Sequence, residues 1–248
     1  MVGYLMDENL IRVIERIDHM EAVFSLILFI VILYAPSYFR FKGSNYKEVS
    51  GNTFFKTILD KGNFGEFLTF VILEKLDGYH RLMTNLYLPK KDGTTTEIDL
   101  IMLSETGVYV FESKNYSGWI FGDEASKNWT QTLNSRKKSR FFNPIWQNSA
   151  HINALKVAIG NGDNKLYKSY IIFSKRCTLK KINVTSNHVK VIKRNQLINT
   201  IKKDIMSSEK ILTPQEIDQI YAELLKYAHA DGITKQAHIS NIKNKKIR

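Results

Sequence analysis

Cysteine is almost missing: a single residue, Cys177, stands in a chain of 248. One thiol excludes an intrachain disulfide framework and a Cys-rich zinc site, and it fits a reducing compartment. No segment repeats. No Lys-Ser or Lys-Thr pair closes the Gly62-Asn63-Phe64-Gly65 stretch, which removes the phosphate loop of a nucleotide hydrolase, although these glycines precede a helix whose amides could face phosphate. Acidic residues are also few, 24 against 36 Lys and Arg, for a net charge of +12. The imbalance is uneven. The first 39 residues carry Asp7, Glu8, Glu15, Asp18 and Glu21 against only Arg12 and Arg16, so the positive excess lies beyond them. Such a surface suits phosphate or an anionic membrane.

The length suits one globular domain with attachments. Leu10, Val13, Ile14 and Ile17 recur at helical spacing, so residues 1–21 read as a short amphipathic helix. Residues 22–39 contain no charge and would span roughly 27 Å as a helix, enough for a single-pass transmembrane anchor. Acids precede this segment and Arg40, Lys42 and Lys47 follow it, which puts the N-terminus outside and the main domain in the cytoplasm of a membrane-bound protein. Two alternatives stand beside the anchor. Ala35-Pro36-Ser37 has the small residues of a cleaved leader, though the region before it is acidic where a leader is basic. A buried core helix has the same hydropathy. Residues 40–61 are polar and Gly/Ser/Asn-bearing and read as a tether, with the domain starting near Gly62.

From Gly62 the pattern gives a helix capped at Asn63, strands over 79–88, 96–103 and 108–114, a helix from Asn143-Pro144 to Gly160, strands over 169–173 and 188–192, and a final capping-box helix from Thr213. Residues 62–195 form the domain, and 196–248 supply C-terminal helices and a basic tail. Lys243, Lys245, Lys246 and Arg248 in that tail suit nucleic acid or anionic lipid. The sequence predicts a turn centred between Glu105 and Thr106, which places Asp99 across from Glu112 and Glu97 across from Lys114, all four on one face. Asp99 and Glu112 suit Mg²⁺, with Mn²⁺ as the substitute, because magnesium takes one or two carboxylates and keeps several waters. The Ser113 carbonyl is a third candidate ligand. Lys114 would hold or deprotonate the attacking water, its pKa lowered by metal and burial, or neutralise charge on phosphorus. A surface ion pair between Glu97 and Lys114 is the plainer alternative. Arg136, Lys137, Lys138 and Arg140, beside Phe141-Phe142, form a candidate nucleic-acid-binding stretch that a solvated loop would equally explain.

The ordered series Gly62-Asn63-Phe64-Gly65-Glu66, Glu97-Ile98-Asp99, Phe111-Glu112-Ser113-Lys114-Asn115-Tyr116-Ser117-Gly118, Trp129-Thr130-Gln131 and Asn143-Pro144-Ile145-Trp146-Gln147 with His151 resembles a nuclease-related (NERD) domain of the PD-(D/E)xK superfamily. The resemblance covers roughly residues 62–157. It implies an α/β, restriction-endonuclease-like αβββαβ core with a mixed sheet, and nuclease activity on DNA, with RNA as the other substrate. It also implies a place for Glu66 in the site and roles for Gln131 and Gln147 in orienting water or substrate. His151 lies one turn after Gln147 and reads as a packed polar residue outside the catalytic set. The competing functions are a nucleic-acid-binding or scaffold module that keeps the fold without turnover, and a basic domain that docks on anionic lipid.

Overall fold

A computed structural model describes residues 8–90, 93–133 and 137–228. The chain divides into two compact units, Met1–Asn45 and Tyr46–Arg248. Among its described residues the first runs as one continuous helix, α1 (Glu8–Lys42), through both the stretch expected as an amphipathic helix and the expected anchor. The helix runs through Pro36. Its portion His19–Lys42, 24 residues of mean hydropathy 2.2 with none of the apolar stretch buried, is long and apolar enough to cross a membrane.

In the second unit, the stretch expected as a tether carries α2 (Tyr46–Ser50) and α3 (Phe54–Leu59). The reason is Tyr46. Its buried ring packs 5.2 Å from Phe67 and 5.3 Å from Phe70 of α4 (Lys61–Leu73), fixing this segment to the domain. The cap of α4 is Asp60, whose carboxylate accepts from the Asn63 amide at 2.8 Å, and not Asn63 itself.

The strands β1 (His80–Pro89), β2 (Thr95–Ser104) and β3 (Gly107–Lys114) form an antiparallel meander. The pairs Leu100↔Phe111, Ile101↔Val110 and Ser104↔Gly107 confirm the register expected from the turn. Gly107 adopts φ 127° there, and a Cβ would meet the Leu166 carbonyl at 2.6 Å, so the tight turn needs glycine. Three short strands follow, β4 (Gly118–Asp123), β5 (Asn128–Thr132) and β6 (Lys138–Phe142), then α5 (Pro144–Ile159). After β7 (Tyr167–Phe173), β8 (Cys177–Asn183) and β9 (Val189–Lys193) come α6 (Leu197–Ser207) and α7 (Pro214–Leu225). The main sheet is mixed, ordered β1-β2-β3-β7-β9, with β7 and β9 parallel to β3. The helix, three antiparallel strands, helix and parallel strand are the α/β nuclease-like core that the sequence implies. The Thr213 capping box of α7 also forms. The basic tail over 235–248 lies outside the described residues.

A second sheet, ordered β6-β5-β4-β8, was not expected. Its inner face joins Ile120 and Trp129 to Ile171, Phe173 and Val189 of the main sheet, with Phe141 packed against them. The larger core lies between the main sheet and α5, where Ile98, Ile101, Val108 and Val110 meet Ile152 and Leu155. Asn143 fixes the start of α5. Its amide donates to the carbonyls of Asp123 (3.3 Å), Glu124 (3.0 Å) and Ser126 (2.8 Å), while its oxygen accepts from the Ile145 amide at 2.9 Å. Asn143→Ala removes both the cap and the loop contacts of a fully buried side chain. Chemical denaturation of the full chain should show a loss of about 2 kcal/mol or more. A loss below about 0.5 kcal/mol, the scale of a plain surface change, would contradict this role.

Candidate active site

The site is built where β2 and β3 part. Their ladder ends at Leu100↔Phe111, and beyond it the Asp99 carboxylate, not a backbone group, receives the Ser113 amide at 3.4 Å. The side chains of β3 alternate, so Val108, Val110, Glu112 and Lys114 point toward α5, as the core contacts of the two valines show. The Ser113 hydroxyl lies on the opposite side, 3.3 Å from Thr69 of α4. Its peptide group is directed at the parted edge of β2, which also aims the Ser113 carbonyl there.

Glu112 is the centre. It is 1% exposed. One carboxylate oxygen, Oε1, lies 2.6 Å from Lys114 Nζ, and the other, Oε2, lies 3.1 Å from His151 Nε2. Lys114 Nζ also donates to Gln147 Oε1 at 3.0 Å. Gln147 and His151, one turn apart on α5, thus grip the two β3 side chains together. An ionised carboxylate only accepts, so His151 Nε2 carries the hydrogen, while Nδ1 meets Thr96 Oγ1 at 2.9 Å. His151 is the packed polar residue that the sequence suggests, and its partner is the central carboxylate. Its i+4 spacing from Gln147 was the signal, but its partner lies 39 residues away in sequence.

Glu97 leaves this face, contrary to expectation. The pairing passes from Thr84↔Leu100 to Leu86↔Ile98, with Asn85 at φ 54° opposite Asp99. Core positions therefore step by three on both strands, Met83 to Leu86 and Ile98 to Ile101. Thr96 and Ile98 consequently share the α5 side, and Glu97 points away, where it accepts the Tyr87 hydroxyl. Lys114 reaches Glu112 and Gln147 instead of the Glu97 that the plainer alternative paired it with. The left-handed Asn85 is held by its amide, which donates to the Ser50 carbonyl at 3.2 Å.

Burial pushes Glu112 up, but Lys114 and the His151 hydrogen bond outweigh it and hold the carboxyl below its ordinary value. Burial pulls Lys114 down, yet Glu112 and Asp99 outweigh it and hold the ammonium above its ordinary value. The expected lowered lysine is therefore absent in this state. Asp99 is raised well above the usual carboxylate range by burial, then by Glu112 and Glu66. Glu66, on α4, is pushed up to about 8 by burial, then by Glu97, Glu112 and Asp60. Its buried Oε2 has no hydrogen-bond partner among the described residues. No three side chains of His, Cys, Asp or Glu form a closed ligand cage among the described residues.

The chain matches the nuclease-related domain family over residues 61–174. A Bacillus anthracis protein described as uncharacterized is 37% identical over 187 residues, covering 75% of this chain and 85% of the relative. The chain belongs to the nuclease-related domain family. No solved structure matches it. Within this nuclease-related domain, Asp99 with Ser113 and Glu112 with Lys114 and Gln147 are brought together, and Glu66 on α4 lies near enough to raise Asp99. Gln131 sits apart in the second sheet, donating to the Ser117 carbonyl at 2.8 Å and accepting from Ser139 at 3.3 Å. Lys138 and Arg140 alternate with Ser139 on β6, so they share an exposed face with Phe142, which meets Trp146 at 6.2 Å. Lys137 is exposed beside them. Arg136 lies outside the described residues.

A carboxyl raised in the fold keeps a proton that the unfolded chain has released. Glu66 therefore makes the protein less stable as pH rises from its ordinary 4.5 toward about 8. Glu112 acts oppositely: its contribution is present above its unfolded pKa and is lost as pH falls through its lower folded value. In EDTA, the melting temperature should drop between pH 5 and 8, by the equivalent of roughly 1 kcal/mol or more. Glu66→Gln should raise stability at pH 8 and flatten that slope. A wild-type profile that stays level across this range would contradict the assignment.

Proposed function

We propose that this protein is a membrane-anchored, Mg²⁺-dependent nuclease that hydrolyses phosphodiester bonds of DNA or RNA. The observation that carries the reading is the buried Glu112 held between Lys114 and His151, with Asp99 and Glu66 raised beside it. Repelling carboxylates and the unsatisfied Glu66 Oε2 are what a cation would relieve. Asp99, Glu112 and the Ser113 carbonyl would hold Mg²⁺ or Mn²⁺, and an open set of two carboxylates suits an ion that retains waters. When bound, such an ion polarises a phosphoryl oxygen and lowers the pKa of its water.

The protein's own groups divide the remaining work. Glu112, ionised and with both oxygens engaged, still has lone pairs to spare. Lys114, kept as an ammonium by Glu112, donates to a phosphate oxygen and offsets the charge that builds on it; as described it is not a base. Gln147 fixes the direction of Lys114. Glu66 reaches the site from α4, where it can hold a proton near neutral pH. Gln131 supports the segment that follows Lys114. Lys137, Lys138 and Arg140, with Arg136, would track the phosphate backbone, and Phe142 and Trp146 offer surfaces for base stacking. The apolar helix would anchor the chain in the cell membrane, with Arg40, Lys42 and Lys47 and the main domain on the cytoplasmic side.

The test is cleavage by the full chain in detergent micelles or nanodiscs, with single- and double-stranded DNA and RNA. Cleavage should require Mg²⁺ or Mn²⁺ and stop in EDTA. Asp99→Asn should lower the rate by about 10²–10⁴-fold with the melting transition retained, and Lys114→Met should lower it as far while also lowering the melting temperature, because Glu112 loses a partner. Equal cleavage by wild type and both variants would overturn the proposal. Salt-sensitive binding without metal-dependent turnover would instead select a non-catalytic nucleic-acid-binding module.

A further inference from the structure

The parallel strands β3, β7 and β9 end side by side. Asn115 follows the end of β3, Arg176 lies in the turn after β7, and Arg194 follows β9. In open α/β sheets, ligands collect at the carboxyl ends of parallel strands.

Arg194 is the unusual member. It is 7% exposed, yet its Nε and Nη2 have no hydrogen-bond partner among the described residues. Burial, then the charge of Arg176, lowers it to about 10, so it stays a cation at neutral pH. The charge that acts on it is thus another cation. Arg176 is exposed and directed inward, donating Nη2 to the Asn115 carbonyl at 3.2 Å and Oδ1 at 3.1 Å, and Nε to Ser174 Oγ at 3.3 Å. Asn115 in turn donates to the Lys61 carbonyl at 2.7 Å, tying this group to the first turn of α4.

Gly65 lets Arg194 and Asn115 pack directly against α4. A Cβ there would stand 3.4 Å from Arg194 Nη2 and 3.3 Å from Asn115 Cβ. Glu66 follows Gly65 on α4, and Lys114 precedes Asn115, so the two arginines border the carboxylate site through its own chain neighbours. A buried cation beside a second cation is costly unless an anion joins them. The planar guanidinium fork matches the oxygens of phosphate.

We propose that Arg194 and Arg176, with Asn115, form a substrate-binding pocket for an internal phosphate of the nucleic-acid strand, next to the phosphate that is cleaved. This assignment rests on the nuclease reading for its ligand. It names a phosphodiester group, and neither a free phosphate nor a terminal one.

Binding in EDTA separates this claim from turnover. Fluorescence anisotropy on the full chain in micelles would use one short single-stranded oligonucleotide, with and without a 5′-phosphate. Arg194→Met should weaken both by about tenfold or more and reduce the salt dependence by about one phosphate contact. Its melting temperature should hold or rise, because an unpaired buried charge is removed. Arg176→Ala, at an exposed position, should weaken both several-fold and serves if Arg194→Met does not fold. Unchanged affinity and salt dependence in the folded variants would overturn the pocket. Loss confined to the 5′-phosphorylated strand, or loss of inorganic phosphate binding alone, would overturn the internal-phosphate assignment. Binding lost in the variants, from a wild type that never cleaves, would support the pocket and defeat the nuclease reading.

Discussion

The site depends on one buried carboxylate. Glu112 is sealed between the main sheet and α5, and its burial is tolerable because Lys114 reaches one oxygen and His151 the other. Those contacts dictate their surroundings. Lys114 needs Gln147, His151 needs Thr96, and both α5 residues need a helix set at a fixed height on the sheet, which Asn143 secures by binding its own helix start and the loop after β4. Removing either partner of Glu112 would leave a buried charge incompletely satisfied, which costs far more than a surface ion pair returns.

The same interaction leaves an electrostatic remainder. Lys114 is enough to keep Glu112 ionised but does not offset Asp99 and Glu66 as well, and burial and their neighbours push both carboxyls up, Glu66 to about 8. The parting of β2 from β3 concentrates this charge. Asp99 takes the place of a ladder contact at the Ser113 amide, and the step at Asn85 turns Glu97 away, so Asp99, Glu112 and Lys114 meet where the strands part while Glu66 acts on Asp99 from α4. An arrangement of this kind favours proton uptake or cation binding.

Much of this was legible in the sequence where local chemistry and periodicity agreed. The Glu105-Thr106-Gly107 turn set the β2–β3 register, so the nearness of Asp99 to Glu112 followed from counting. Asn143-Pro144 and Gly160 marked both ends of α5, and Thr213 with Glu216 marked the start of α7. The misses share a cause: long-range contacts overrode local pattern. Strict alternation put Glu97 beside Lys114, because nothing in Thr-Asn-Leu announces that Asn85 turns left-handed. The second sheet hid in strands of five to seven residues, one of them rich in exposed Lys and Arg. Tyr46 looked like part of a polar tether until Phe67 and Phe70 gave it a core. Arg194 carries no local signal, since its interest lies in what it fails to contact.

The central claim is that the carboxylates around Glu112 form a divalent-cation site. Calorimetric titration of the full chain with Mg²⁺ and Mn²⁺ at pH 7, in two buffers of different ionisation enthalpy, tests it directly. The account predicts binding accompanied by proton release, because Glu66, raised to about 8, must give up a proton, and loss of both signals in Asp99→Asn. Absence of binding at millimolar metal, or binding that Asp99→Asn leaves unchanged, would contradict it.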